Sequence, residues 1–198
     1  MFELLYRITD SEEYLTELDE KSFESGGDIL GFFAINVNGY HYGRYHNYPL
    51  QPGECDFEKI TEWLLLIGYA YKALNNSGYA LIDIVDYYNI WLEFRRVKDR
   101  VAINILMAEK GECNYSEEIR LTPLEKFEYG DWYIEFVKSG QIHSELVKRQ
   151  DETVRLSEIR SELSGKISKY LDELRAINIK LLKNKKVAEL ETFLSQLM

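Results

Sequence analysis

The chain has little that could crosslink it or bind metal. Only two cysteines occur in 198 residues, Cys55 and Cys113, neither in a CxxC pair. So sparse a set excludes a disulfide framework and fits two reduced thiols in a cytosolic protein. Histidine is equally scarce, with His41, His46 and His143 alone. Proline occurs three times, at Pro49, Pro52 and Pro123, so regular structure meets few interruptions. Long apolar runs are missing too. The longest, Trp63 to Tyr71, is about half of the roughly 20 residues that span a bilayer. Met1-Phe2-Glu3 has no basic n-region, so no signal peptide is expected. No GxGxxG, GxxxxGK[ST], HExxH, GxSxG or EF-hand loop is present.

Positive charge is also short. The formal net charge is −10, from 24 Lys+Arg against 34 Asp+Glu. Residues 151–198 hold 9 basic and 8 acidic residues, leaving 15 basic and 26 acidic in residues 1–150. Phosphate backbones need a basic footprint, so nucleic acid is excluded as a partner over any large surface. A basic partner is permitted. What is abundant is aromatic: 14% of the chain, including 15 Tyr.

The clearest local signal is residues 28–46. Two β-rich runs flank Asn38-Gly39, the pair that best tolerates the two positive φ angles of a type I′ turn. Phe33, Ile35 and Val37 alternate with Phe32, Ala34 and Asn36. A short strand is expected over 2–8, and residues 10–28 are acidic, with Tyr14, Leu15 and Leu18 carrying one helical turn. Asp56 is placed to cap a helix over 57–74, whose stripe is Ile60, Trp63, Leu64, Ile67 and Tyr71. Asn75-Asn76-Ser77-Gly78 ends it. Residues 79–85 are ambiguous between strand and helix. Residues 90–97 and 101–108 alternate as a second hairpin around Lys98-Asp99-Arg100. A strand near 116–121 follows, then Thr122-Pro123-Leu124-Glu125 opens a helix through Phe127, Trp132, Phe136 and Leu146, which Ser139-Gly140 can break.

From Asp151 the character changes. Leu156, Ile159, Leu163, Ile167, Tyr170, Leu174, Ile177 and Leu181 step by three or four residues, the stripe lapses at Asn184-Lys185-Lys186, and Val187, Leu190, Leu194 and Leu197 resume it. This predicts a long C-terminal helical segment, broken near 184. Two readings stand for its apolar face: it folds back on the domain, or it pairs two copies as a homodimer through 151–198. The expected fold is α+β, with an antiparallel sheet of about five strands and helices packed on one face. The domain occupies 1–150, with a helical extension over 151–198.

Candidate chemistry is thin. An odd spacing separates His41 from His46, putting them on opposite faces of a regular strand, so neither a metal nor a cofactor is expected. Glu54 and Asp56 flank Cys55 and disfavour its thiolate. The carboxylates read as a solvated surface rather than as an acid pair. Tyr40, Tyr42, Tyr45 and Tyr48 interleave with His41, Arg44 and His46. Aromatic anchors of this kind suit a binding surface, although tyrosines also cover sheet edges.

The segment Gly31 to Gly43, GFFAINVNGYHYG, resembles the opening hairpin of small bacterial immunity proteins, many of which show F-x-I-x-V-N-G followed by Tyr and Gly. The order of elements over residues 29–150 is similar, whereas 151–198 lies outside the pattern. These proteins neutralise polymorphic or contact-dependent toxins. The resemblance implies no catalysis and no cofactor. It implies a cytoplasmic inhibitor that occludes one cognate protein toxin, often basic, through an acidic surface. The residues placed in that contact are Tyr42 and Tyr45, with Glu12, Glu13, Glu17, Asp19 and Glu20 steering from nearby. The alternative is a structural or adaptor protein that oligomerises through its C-terminal helix.

Overall fold

In the computed structural model of the chain, the described residues are 1–19, 28–52, 54, 57–83, 90–108, 142–143 and 153–197. In chain order the elements are β1 (Phe2–Ile8), α1 (Glu12–Glu17), β2 (Leu30–Val37), β3 (Tyr40–Arg44), β4 (Glu58–Lys59), α2 (Ile60–Asn76), β5 (Tyr79–Asp83), β6 (Ile90–Val97), β7 (Arg100–Ala108), β8 (Ile142–His143), β9 (Thr153–Arg155), α3 (Leu156–Ile177), a 3-10 turn (Ile179–Lys183) and α4 (Lys185–Leu197). The chain divides into two compact units. One is Met1–Gly68 with Ser157–Met198, the other Tyr69–Leu156. The α+β class, the antiparallel pairing and the C-terminal helical segment are as expected. The strands are distributed over two sheets, of four and five strands. The change of character at Asp151 lies close to Ser157, where the chain re-enters the first unit.

In the first unit β2 is central. It pairs antiparallel with β1 from Phe2↔Val37 to Ile8↔Gly31, with β3 from Phe33↔Arg44 to Val37↔Tyr40, and with β4 at Leu30↔Lys59. Alternation puts Leu4, Tyr6, Phe33 and Ile35 on one face. That face meets the helices. Phe33 stacks on Trp63 of α2 at 5.2 Å, and Tyr6 meets Tyr170 of α3 edge-on at 5.5 Å. Tyr170 is fully buried, with its hydroxyl 2.8 Å from Thr61 Oγ1. A buried hydroxyl needs such a partner, because an orphaned one costs about 1–3 kcal/mol. The C-terminal stripe is occupied here: Leu163, Ile167, Leu174 and Leu181 are all buried.

The second unit is built on β7, which pairs antiparallel with β6, β8 and β9. Ala80, Ile82, Leu92, Phe94, Val101, Ile103 and Val154 are buried on one face of its sheet.

Several local expectations need correction. The helix expected over 57–74 runs over Ile60–Asn76 instead. Glu58 and Lys59 join β2, and Ile60 N–H donates to Ile29 O at 3.0 Å, so sheet pairing claims what would have been the first turn. Asp56, the expected cap, lies outside the described residues. At the other end, Gly78 takes φ +81° and donates to Ala73 O, as a C-terminal glycine does. The ambiguous residues 79–85 contain strand β5, and the second hairpin turns on Lys98-Asp99 alone, with Arg100 already in β7. The strand near 116–121 and the helix from Thr122 fall outside the described residues, except that Ile142–His143 form β8, just beyond the expected break at Ser139-Gly140.

The described residues of the acidic stretch 10–28 are not all solvated. Ser11 caps α1 by accepting from Tyr14 N–H, and Leu15 and Leu18 are buried. Asp28 at its end is buried, accepts from Ile29 N–H at 2.7 Å and faces Lys186 Nζ at 3.4 Å. Lys186 also reaches Glu62 at 3.3 Å. Partial burial pulls the Lys186 ammonium down, but Asp28 and Glu62 outweigh it and hold the ammonium above its ordinary value.

Gly39 sits at φ +95° with open space around it, so strain rather than collision governs substitution there. Gly39→Val is expected to destabilise by more than about 1 kcal/mol. An unchanged urea midpoint would remove this turn from the account. Lys186→Met leaves Asp28 buried without its cation. A loss of 3–5 kcal/mol is typical of fully buried pairs, and solvent at the half-exposed lysine reduces the expected loss to about 1–2 kcal/mol. In a double-mutant cycle with Asp28→Asn, the two losses should be less than additive, and full additivity would show that the pair does not interact.

Candidate partner-binding surface

Beyond β3 the chain folds back over the second face of β2. Gly43 makes the bend at φ +94°, where a Cβ would fall 2.5 Å from Phe33 O. Arg7, on β1, then fastens the loop by donating from Nη1 to Tyr48 O at 2.6 Å and to His46 O at 3.4 Å. The His46 ring packs on Phe32 at 4.2 Å and stacks on Tyr48 at 3.7 Å, 10° from parallel. Phe57 meets Phe32 edge-on at 5.4 Å. Phe32 is thus covered by the loop itself.

Glu54 closes the structure. Its Oε1 accepts from His46 Nε2 at 2.7 Å and pairs with Arg44, while its Oε2 accepts from Gln51 N–H at 3.0 Å. Glu54 N–H in turn donates to Gln51 O at 3.0 Å. The Glu54 side chain is 5% exposed and that of His46 9%. The Gln51 N–H holds the Glu54 carboxyl below the ordinary carboxylate range; burial opposes this, and His46 and Arg44 reinforce it. Asp10, at the end of β1, shows the opposite balance. Burial raises its carboxyl, although Leu30 N–H pulls it down, and nearby Asp28 pushes it up.

Of the residues expected in the contact, Tyr42 is half-buried in β3 and makes contacts within the fold, while Tyr45 is 38% exposed. Tyr48 is more exposed still, at 53%, although its ring is held against His46. Glu12, Glu13 and Glu17 on α1 and Asp19 beyond it are exposed. Glu20 lies outside the described residues. The carbonyls ending α1 have an unforeseen partner in Asn178, whose Nδ2 donates to Leu15 O, Thr16 O and Leu18 O at 3.0, 3.1 and 3.3 Å. The 3-10 turn that follows and the first residues of α4 carry Lys180, Lys183, Lys185 and Lys186. The acidic α1 is therefore seated beside a lysine-rich stretch.

His41 is exposed, and among the described residues no three His, Cys, Asp or Glu come together to hold a metal ion. His46 and Glu54 form a dyad through the Nε2 to Oε1 hydrogen bond. His46 Nδ1 is buried without a hydrogen-bond partner, and the ring is packed between aromatics, so the dyad serves as a clamp. The clamp's one sequence signal is weak: Glu54 three residues after Gln51, within a loop bracketed by His46 and Phe57. No helix among the described residues is long and apolar enough to cross a membrane.

Because its folded pKa is depressed, Glu54 contributes stability above the unfolded glutamate range, near pH 4.3, and loses it as pH falls through the lower folded value. Glu54→Gln should therefore lower the urea midpoint by a constant amount above about pH 5. The gap should narrow as the pH drops below about 4. A gap that does not change with pH would place the stabilisation elsewhere.

No protein family, curated protein or solved structure matches the chain.

Proposed function

We propose that the chain is a cytoplasmic inhibitor of the bacterial immunity type, which binds a basic cognate toxin domain and occludes its active cleft. The observation that carries this reading is the clamped aromatic loop. Tyr45 and Tyr48 stand exposed on a segment fastened by Arg7, His46 and Glu54 to the central sheet. Aromatic side chains held in place before contact lose little entropy on binding, which is what hot-spot residues require. Tyr42 borders the same stretch. The carboxylates of Glu12, Glu13, Glu17 and Asp19 supply long-range attraction for a basic partner. The alternative of oligomerisation through 151–198 has less support, because Leu163, Ile167, Leu174 and Leu181 are already buried in the first unit.

The test is co-expression with a toxin domain encoded beside this chain, followed by binding kinetics on the purified pair. Growth should be restored. Tyr42→Ala and Tyr45→Ala should speed dissociation about tenfold or more at low and high salt alike, as central anchors do. Replacing Glu12, Glu13 and Glu17 by Gln should slow association at about 0.05 M salt and matter little at 1 M, where the Debye length falls to about 3 Å. Protection that survives loss of the tyrosines would move the contact to another surface. Failure to protect or bind would dismiss the inhibitor reading.

A further inference from the structure

The second unit carries a concentration of arginine at odds with the acidity of the chain. In the register of its sheet, Val97 faces Arg100, Arg95 faces Ala102, Arg100 faces Arg155 and Ala102 faces Thr153. Alternation therefore projects Arg95, Arg100 and Arg155 from one face, opposite the face that buries Phe94, Val101, Ile103 and Val154. Among the described residues this face also holds Tyr79, Val97, Ala102 and Thr153, and Glu93 two residues before Arg95, whose carboxylate accepts from Asn104 Nδ2 at 2.9 Å. The two-residue turn at Lys98-Asp99 makes Val97–Arg100 a hydrogen-bonded pair, so the backbone groups of Arg100 point toward β6. Leu156 N–H donating to Asp99 O at 2.9 Å agrees with this. Arg100–Arg155 is then a pair of the non-hydrogen-bonded kind, in which opposed side chains come closest.

Two like charges directly opposed across such a pair are unfavourable. Arg100 is held in place all the same: its Nε donates to Thr153 Oγ1 at 2.7 Å and its Nη2 to Thr153 O at 2.8 Å. All three arginines are exposed, and among the described residues no carboxylate pairs with any of them. Asp99 is the sole acid from Phe94 to Ala108, and Lys98 in the turn adds to the positive charge near Arg100.

We propose that Arg95, Arg100 and Arg155 form a binding site for a phosphate-class oxyanion. Guanidinium groups present paired donors that match phosphate oxygens, and a multiply charged anion offsets three cations where a single carboxylate does not. The footprint is too small, and the net charge too negative, for a nucleic-acid backbone. This inference is independent of the inhibitor reading.

The test titrates pyrophosphate into the full chain at constant ionic strength, following the arginine side-chain Nε–Hε resonances by NMR. Saturable shifts of Arg95, Arg100 and Arg155 are expected, with affinity reduced tenfold or more in the Arg95→Gln, Arg155→Gln double variant while the rest of its spectrum is unchanged. Arg155→Gln alone, without added anion, should keep or raise the urea midpoint, since it removes a like-charge pair. Shifts that are absent, non-saturating or retained in the double variant would overturn the site, as would a lowered midpoint for Arg155→Gln. Citrate binding as tightly as pyrophosphate would overturn the phosphate assignment.

Discussion

Burial of β2 on both faces is the constraint on which the first unit depends. A strand of this kind cannot leave either row of side chains to water, so each row must recruit its own cover. Phe33 and its neighbours recruit α2 and α3, through Trp63 and by way of Tyr6 to Tyr170. Phe32 recruits the chain beyond β3, through His46 and Phe57. The second cover is irregular, and its backbone groups need partners that no sheet supplies. Arg7 and Glu54 provide several of them. The loop is thus part of the core on its inner side and leaves Tyr45 and Tyr48 exposed on its outer side.

This division bears on the recognition proposed above. A loop ordered only on binding would spend part of its interaction energy on that ordering. Here hydrophobic cover and charge-assisted hydrogen bonds do the ordering in the free protein, and under the proposed reading Tyr45 and Tyr48 need no further ordering on contact. The acidic helix is different in character. Its charges act at a distance, so it needs exposure more than exact placement, and its seat on Asn178 beside four lysines tempers its field locally.

Much of this architecture is legible in the sequence wherever a local rule decides it. Asn38-Gly39 specifies its turn through φ, the alternation of 90–97 specifies a hairpin, and the three-and-four stepping from Leu156 onward specifies helix. What is not legible depends on partners remote in the chain. The start of α2 is set by Ile29, some thirty residues upstream, and Asp28 becomes a buried ion-pair member because of Lys186. Read locally, Asp28 is one more surface acid. Tyr42 and Tyr45 can be singled out by type, but the Glu54 clamp that shapes their surroundings joins a strand, a loop and a histidine whose proximity only the fold creates. The arginine face likewise emerges only when β9 is laid beside β7.

The central claim is that the loop after β3 is structured in the free protein. Amide hydrogen exchange of the unbound chain tests it most directly, with attention to Gln51 N–H, which donates to Glu54. The account predicts that this amide is protected well above the unstructured-peptide rate, by about tenfold or more, as expected for an amide released only by local opening. Exchange of Gln51 at the unprotected rate while β2 remains protected would contradict it.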